Sequence, residues 1–237
     1  MSVERNVIIS LLKLTKRGCV LIENVNKDAR IPSVVTWELL EKLQNENLIY
    51  LKHDTVEVDS SSRLKLAVKV ASLGADVEHI SDLLCWQEFE EIAAIALKNN
   101  SYLVKKNVRF KHEGKRWEID VIGCKKPLVV CIDCKHWKRA ISSSALKRIV
   151  ELQTQRTQAL ADSLPNIKLK IECSKWSNAK FIPAVLSLIP SAFKFYDKVP
   201  VVPVLQLQDF ICKLPAYTGS LKVLNKTFQT LSHDFQN

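Results

Sequence analysis

The apolar positions of this chain fall into helical and strand periods in a readable order. Val7, Ile8, Leu11, Leu12 and Leu14 recur at helical spacing within 3–16, and Arg17-Gly18 stops that run. A short segment covers 21–29, and Pro32-Ser33 opens a helix with Val34, Trp37, Leu40 and Leu43 on one face. The period drops to two at Leu48-Ile49-Tyr50-Leu51, passes a polar turn at His53-Asp54 and resumes at Val56 and Val58. Ser60-Ser61-Ser62 caps a predicted helix over 63–73 that Gly74 closes, and Asp76 starts another through Leu84.

Over 86–98, Trp86, Phe89, Ile92, Ala93, Ala96 and Leu97 form one stripe at helical spacing. Glu90 lies at the margin of that stripe, whereas Glu88 and Glu91 are expected to point outward. Three strand-like segments follow, over 102–110, 117–123 and 128–135, separated by Glu113-Gly114-Lys115 and by Lys125-Lys126-Pro127. Alternation in the last puts Val129, Cys131, Asp133 and Lys135 on one face; both faces stay apolar until Asp133, as in a strand covered on two sides. In 117–123 the same alternation sets Glu118 and Asp120 against Trp117, Ile119 and Val121. Ser142 or Ser143 caps a helix to about Ser163, with Leu146, Ile149, Val150, Gln153, Thr157 and Leu160 on its buried face. Strands over 181–189 and 201–207 and a helix over 208–214 close the pattern; beyond Tyr217 it carries no signal.

This order predicts an α/β chain in three parts, 1–60, a helical connector 61–85, and 86–237 with a mixed central sheet. The first sixty residues, three helices and a hairpin, resemble a winged helix-turn-helix. The third helix of such a module enters the major groove, yet here it offers Glu38, Glu41 and Glu46 against Lys42, a poor match to phosphates. Contact through the wing, dimerisation and internal packing all stay open for this part.

Composition narrows the function classes. The 237 residues, 47% hydrophobic and 25% charged, are ordinary for a soluble protein with room for one large domain or two modest ones. The charged start MSVER and the short, Pro183- and Pro190-broken apolar window 181–193 predict neither a signal peptide nor a membrane span, hence a cytoplasmic chain. Five glycines leave no Gly-rich phosphate loop, so no nucleotide cofactor is expected. Seven scattered cysteines suggest a reducing compartment. The C-x-x-C pair Cys131 and Cys134 faces opposite ways on one strand, with no second ligand pair at zinc spacing, and reads as small buried side chains.

The net charge of +10 is unevenly spread: residues 1–100 hold 12 Lys and Arg against 15 Asp and Glu, residues 101–237 hold 23 against 10. A polyanionic partner is the physical reason for such an excess, and a solvated basic surface is the alternative. Lys115, Arg116, Lys138, Arg139, Lys147, Arg148 and Arg156 are the candidate nucleic-acid contacts, with Lys105, Lys106, Arg109 and Lys111 nearby in sequence.

An acid and a lysine two residues apart at the end of a buried strand are expensive unless they serve each other or a cation. The neighbouring strand supplies Asp120, so two carboxylates can meet, and a hard divalent cation relieves their repulsion. Asp120, Asp133 and Lys135 therefore read as a Mg²⁺ site, with Mn²⁺ as a substitute, beside a lysine. Phe89-Glu90 on a helix, then Glu118-Ile119-Asp120, then Ile132-Asp133-Cys134-Lys135-His136-Trp137 resemble the PD-(D/E)XK nuclease superfamily, nearest to its Mrr-like domains and archaeal-type Holliday junction resolvases. The resemblance covers 86 to about 212.

It implies a restriction-endonuclease-like α/β/α fold in which Asp120 and Asp133 bind the metal, Glu90 joins them directly or through water, and the Cys134 carbonyl is a further ligand. It also implies that Lys135 orients or activates the attacking water. Gln153, with Arg156 one turn on, resembles a glutamine that some relatives place near the scissile phosphate; a hydrogen bond to the sheet is the alternative. Ile119 replaces the motif's proline, and Asp133 stands where Glu is usual. The expectation is a Mg²⁺-dependent DNA endonuclease, a homodimer because duplex cutting calls for two sites. The rivals are a DNA-binding regulator that keeps the fold without its reaction, and an RNA- or junction-specific nuclease.

Overall fold

A computed structural model describes residues 3–135, 142–165, 169–188 and 193–228. These divide into two compact units, one ending at Ile92 and the other beginning at Ala93.

In the first unit α1 (Val3–Leu14), β1 (Val20–Leu21), α2 (Ile22–Ala29) and α3 (Ser33–Asn45) precede a hairpin of β2 (Tyr50–Lys52) and β3 (Thr55–Glu57). The three strands pair antiparallel in the order β1-β3-β2. Helices α4 (Ser60–Ser72) and α5 (Val77–Leu83) follow. Two expectations change here. The buried stripe of α3 is Thr36, Leu40 and Leu43, while Val34 is 67% exposed and Trp37 37%, so the apolar pair in the first turn faces water. Asp59, not a serine of the triplet, caps α4, accepting from the Ser62 amide at 2.8 Å.

The first unit holds a buried ion pair that periodicity missed. Arg63 is 3% exposed; its Nε donates to Glu88 Oε1 at 2.5 Å, and its Nη1 to the Leu12 carbonyl and Thr15 Oγ1, both at 2.8 Å. Its Nη2 donates to the Leu83 carbonyl at 2.7 Å, so one guanidinium ties α1, α4 and α5 to the start of the next helix. Glu88, expected outside, is 6% exposed because it also accepts from the Cys85 amide at 2.5 Å, the backward half of a capping box.

Helix α6 (Trp86–Asn99) crosses the unit boundary and leads into β4 (Leu103–His112), β5 (Lys115–Lys125) and β6 (Leu128–Cys134), an antiparallel meander. Helix α7 (Ser143–Ser163), capped by Ser142, carries the chain to β7 (Asn178–Ser187), which joins β6 in parallel. A hairpin of β8 (Phe195–Tyr196) and β9 (Val199–Pro203) follows, then α8 (Leu207–Tyr217) and β10 (Leu224–Thr227). The mixed sheet runs β4-β5-β6-β7-β9-β8, with β10 antiparallel on β7 beside β9. The strand expected over 201–207 ends at Pro203 because a 3-10 turn, Val204–Gln206, leads into α8. β10 lies in the stretch that carried no pattern.

Three successive residues show how the layers form. Ile122 and Cys124 pack in the same apolar cluster as Ala159 and Leu160 of α7 and Leu164 just beyond it. Gly123 between them faces α6, where an added Cβ would stand 2.6 Å from Leu97 Cδ2. The helices therefore cover opposite faces, and glycine permits the close approach of α6. β6 is buried from Leu128 through Asp133, as a central strand with two covered faces requires.

Removing one partner of the buried pair leaves the other's charge unmatched. Arg63→Met or Glu88→Ala is expected to cost about 3–5 kcal/mol in urea unfolding, the double change less than their sum. Gly123→Ala should cost about 1–3 kcal/mol, since Leu97 is fully buried and has nowhere to retreat. Unfolding midpoints equal to wild type would remove either assignment.

Candidate active site

The last residues of β6 and the facing stretch of β5 bring the chemistry together. The β5–β6 ladder pairs Val121 with Ile132, so Asp120 and Asp133 are the next residues beyond that pair on adjacent strands. Strict alternation fails just here: Trp117 and Ile119 pack in the same cluster as Ile122 and Cys124, although their parity differs. Across from them β4 pairs Lys106 with Val121 and Val108 with Ile119, and Asn107 between takes a left-handed φ of 52°. Asp120, opposite Asn107 in this register, turns toward β6, where its Oδ2 accepts the Cys134 amide at 2.7 Å.

Asp133 is 2% exposed and lies among cations. Arg156 Nη1 donates to its Oδ1 at 2.6 Å, and Lys135 Nζ stands 3.0 Å from its Oδ2. The lysine contact lacks hydrogen-bond geometry, so among the described residues Oδ2 is a buried oxygen without a hydrogen bond. Burial, and next the charge of Asp133, push the Asp120 carboxyl above its ordinary range; the Cys134 amide, Lys135 and Arg156 pull the other way. Two carboxylates and two cations thus meet at one point in the second unit.

The remaining candidates are placed as follows. Glu90 is 3% exposed on α6. Gln153 is fully buried, and its Nε2 donates to the Cys131 carbonyl at 2.8 Å, tying α7 to β6; its Oε1 has no partner among the described residues. Lys147 and Arg148 are exposed near the start of α7, Lys147 3.9 Å from Glu151. Lys115 and Arg116 are exposed at the β4–β5 turn, and Lys115 Nζ sits 3.8 Å over the Trp117 ring. Lys138, Arg139, His136 and Trp137 lie outside the described residues. Cys131 is buried in the apolar cluster and Cys134 is half-buried, so the C-x-x-C pair contributes one core side chain and one backbone contact to Asp120.

A groove of about 730 Å³ runs from the β4–β5 hairpin to α7, lined by Arg109, Lys111, Lys115, Arg116, Trp117 and Arg156 among others. Arg156 belongs both to this basic groove and to the Asp133 carboxylate. Sequence reading placed it among the nucleic-acid contacts and one turn after Gln153 near the expected site, but gave it no carboxylate partner; its spacing three residues after Gln153, on the sheet-facing side of α7, was the signal for a place beside Asp133.

The donor set suits a small hard cation. Mg²⁺ is held by one or two carboxylates with water and substrate oxygens completing its shell, which two carboxylates and a buried, unbonded oxygen can supply. Among the described residues no three His, Cys, Asp or Glu side chains converge on one point, so a cage made wholly of protein ligands is absent there.

Residues 86–182 match the sequence family described as the nuclease-related domain. An uncharacterized protein of Archaeoglobus fulgidus is 28% identical over 140 residues, 59% of this chain and 98% of that one. Among solved structures, protein VC1899 from Vibrio cholerae aligns with 91% of this chain and 50% of its own at 11% identity and a TM-score of 0.39. Restriction endonuclease FokI aligns with 91% and 44% at 15% identity and a TM-score of 0.35. The chain spans about half the length of these solved structures. The matched stretch spans a helix, a three-stranded meander, a crossover helix and the first half of a parallel strand, and it supports a nuclease-related α/β domain there.

Because burial and a like charge both disfavour ionised Asp120, its folded proton affinity exceeds the unfolded one, whose ordinary value is 3.8. Metal-free wild-type protein therefore loses stability as pH rises above about 4, until the carboxylate is ionised in the fold as well. Asp120→Asn keeps an oxygen for the Cys134 amide and sheds the charge. In EDTA it should be more stable at neutral pH by about 0.5–2 kcal/mol, with the gain growing as pH climbs out of the acid range. A variant less stable than wild type at neutral pH would contradict the placement of the two carboxylates.

Proposed function

We propose that this nuclease-fold domain hydrolyses phosphodiester bonds in DNA with Mg²⁺ or Mn²⁺, and that Asp120, Asp133 and Lys135 carry the reaction. The observation that supports this most is the shared site itself: two carboxylates from adjacent strands, a lysine on one of them, and a basic groove reached through Arg156. Asp120 and Asp133 would hold the cation, with the Cys134 carbonyl as a further ligand. When bound, the metal supplies a Lewis acid for the phosphoryl oxygens and lowers the pKa of the attacking water.

The chain's own residues do the rest. Lys135 has three donors and, among the described residues, Asp133 as its ion-pair partner, so it can orient a water or bond a non-bridging oxygen while Asp133 fixes its position. Its side chain is 29% exposed, open enough for substrate yet shielded enough for its charge to count. Arg109, Lys111, Lys115 and Arg116 would carry the flanking phosphates. Gln153 would act through the strand it holds. In the same reading residues 1–60, three helices and a three-stranded antiparallel sheet, are a winged-helix-like module, and two copies of the chain would assemble to cut both strands.

A binding protein without the reaction is the second reading. One observation favours it: among the described residues Asp120 and Asp133 are balanced by Lys135 and Arg156 without a metal.

Supercoiled plasmid incubated with Mg²⁺ or Mn²⁺ separates the two. Wild type should nick or linearise it, and Asp133→Ala and Lys135→Ala should each lose about 100-fold or more. Equal rates for all three would end the nuclease reading. Salt-sensitive DNA binding with no cleavage and no metal uptake would select the second.

A further inference from the structure

The Arg156 guanidinium stands where two ligands of the proposed reaction would meet. It bonds Asp133 Oδ1 at 2.6 Å, and it lines the same basic groove as Arg109, Lys115 and Arg116. We infer that Arg156 is a gate: it holds the Asp133 carboxylate until a divalent cation takes that oxygen, and then turns into the groove to bind a nucleic-acid phosphate. The inference rests on the metal reading above and adds a residue that makes metal and nucleic acid bind cooperatively.

Among the described residues that meet here, Asp120 and Asp133 contribute two negative charges and Lys135 and Arg156 two positive ones, in a region where Asp133 is 2% exposed. A divalent cation added to this set leaves an excess of two in a place of weak screening. Lysine can relieve such an excess by losing a proton; a guanidinium cannot, so Arg156 must move or acquire an anion. Movement is local, because Gln153 one turn earlier anchors α7 to the Cys131 carbonyl and the helix itself stays in place. The long side chain, 21% exposed, already borders the groove, and its planar fork matches a phosphate as well as a carboxylate.

Two consequences follow by linkage. Arg156 competes with the cation in the free protein, and a phosphodiester that accepts the released guanidinium strengthens cation binding, with reciprocal strengthening of nucleic-acid binding.

The test titrates Mn²⁺ into the full chain and reads free Mn²⁺ by electron paramagnetic resonance. It is run with and without a short duplex whose phosphorothioate linkages keep the charge and resist cleavage. Wild type should bind Mn²⁺ about 10-fold tighter with the duplex than without it. Arg156→Gln should bind Mn²⁺ about 5-fold tighter than wild type in the absence of DNA and lose most of the duplex effect. Arg156→Lys, which keeps a charge without the fork, should fall between, and circular dichroism melts confirm that both variants are folded. An Arg156→Gln protein with unchanged or weaker Mn²⁺ affinity, or with the duplex effect intact, overturns the gate. Asp133→Asn tells the two failures apart: if it loses Mn²⁺ while Arg156→Gln matches wild type, only the gate falls. If it binds Mn²⁺ as wild type does, the metal reading falls with it.

Discussion

A carboxylate that is 2% exposed at the end of a central strand is the constraint around which the second unit is arranged. Asp133 is too costly to bury alone, and no backbone amide answers it among its described contacts; two cations do. Each comes from an element that the sheet positions. Lys135 follows on the same strand, where its amide continues the parallel ladder by donating to the Leu186 carbonyl at 3.0 Å. Arg156 comes from the crossover helix, whose place over the sheet is fixed by apolar packing and by the Gln153 hydrogen bond. The topology that buries Asp133, an antiparallel neighbour on one side and a parallel one on the other, also delivers its partners.

Asp120 depends on a local irregularity. A regular ladder would pair Asn107 with Asp120 and keep Trp117, Ile119, Ile122 and Cys124 from sharing one cluster. The left-handed residue at 107 lets both pairs reach the α7 side and turns the acid toward the Cys134 amide. The same amide bond keeps the two carboxylates close, where burial and repulsion raise the proton affinity of Asp120. Perturbed acids and irregular backbone of this kind commonly mark functional places.

What was legible in the sequence was what short-range periodicity encodes. The helix stripes, the two-faced apolar run of β6, the turn at Glu113-Gly114 and the Asp133-x-Lys135 pair all depend on residues a few positions apart. What was missed depends on partners far away in the chain. Glu88 is outward by its helical wheel and buried because Arg63 stands 25 residues upstream. Arg156 reads as a phosphate contact until Asp133, 23 residues before it, is placed beside it. β10 has weak alternation because it sits at the edge of the sheet, half exposed, and is recruited by β7 rather than by its own pattern. The first turn of α3 carries Val34 and Trp37 on its water side, against the ordinary rule, and nothing within the unit explains that choice.

The two units also treat their charges differently, and this bears on the uneven net charge. In the first unit several cations serve structure: Lys42 and Lys69 both reach Glu4, Lys69 also reaches Glu46 at 2.7 Å, Lys13 meets Asp28, and Arg63 bonds Glu88, Thr15 and two carbonyls. Such pairs leave little field outside the unit. At the β4–β5 hairpin the balance is reversed, because Arg109 meets Glu118 at 3.1 Å while Lys111, Lys115 and Arg116 crowd the same turn with Glu113 as the acid among them. Like charges gathered on exposed strands destabilise the hairpin that carries them. That arrangement is reasonable where a polyanion screens them, and the groove between this hairpin and Arg156 is where such a partner would be held.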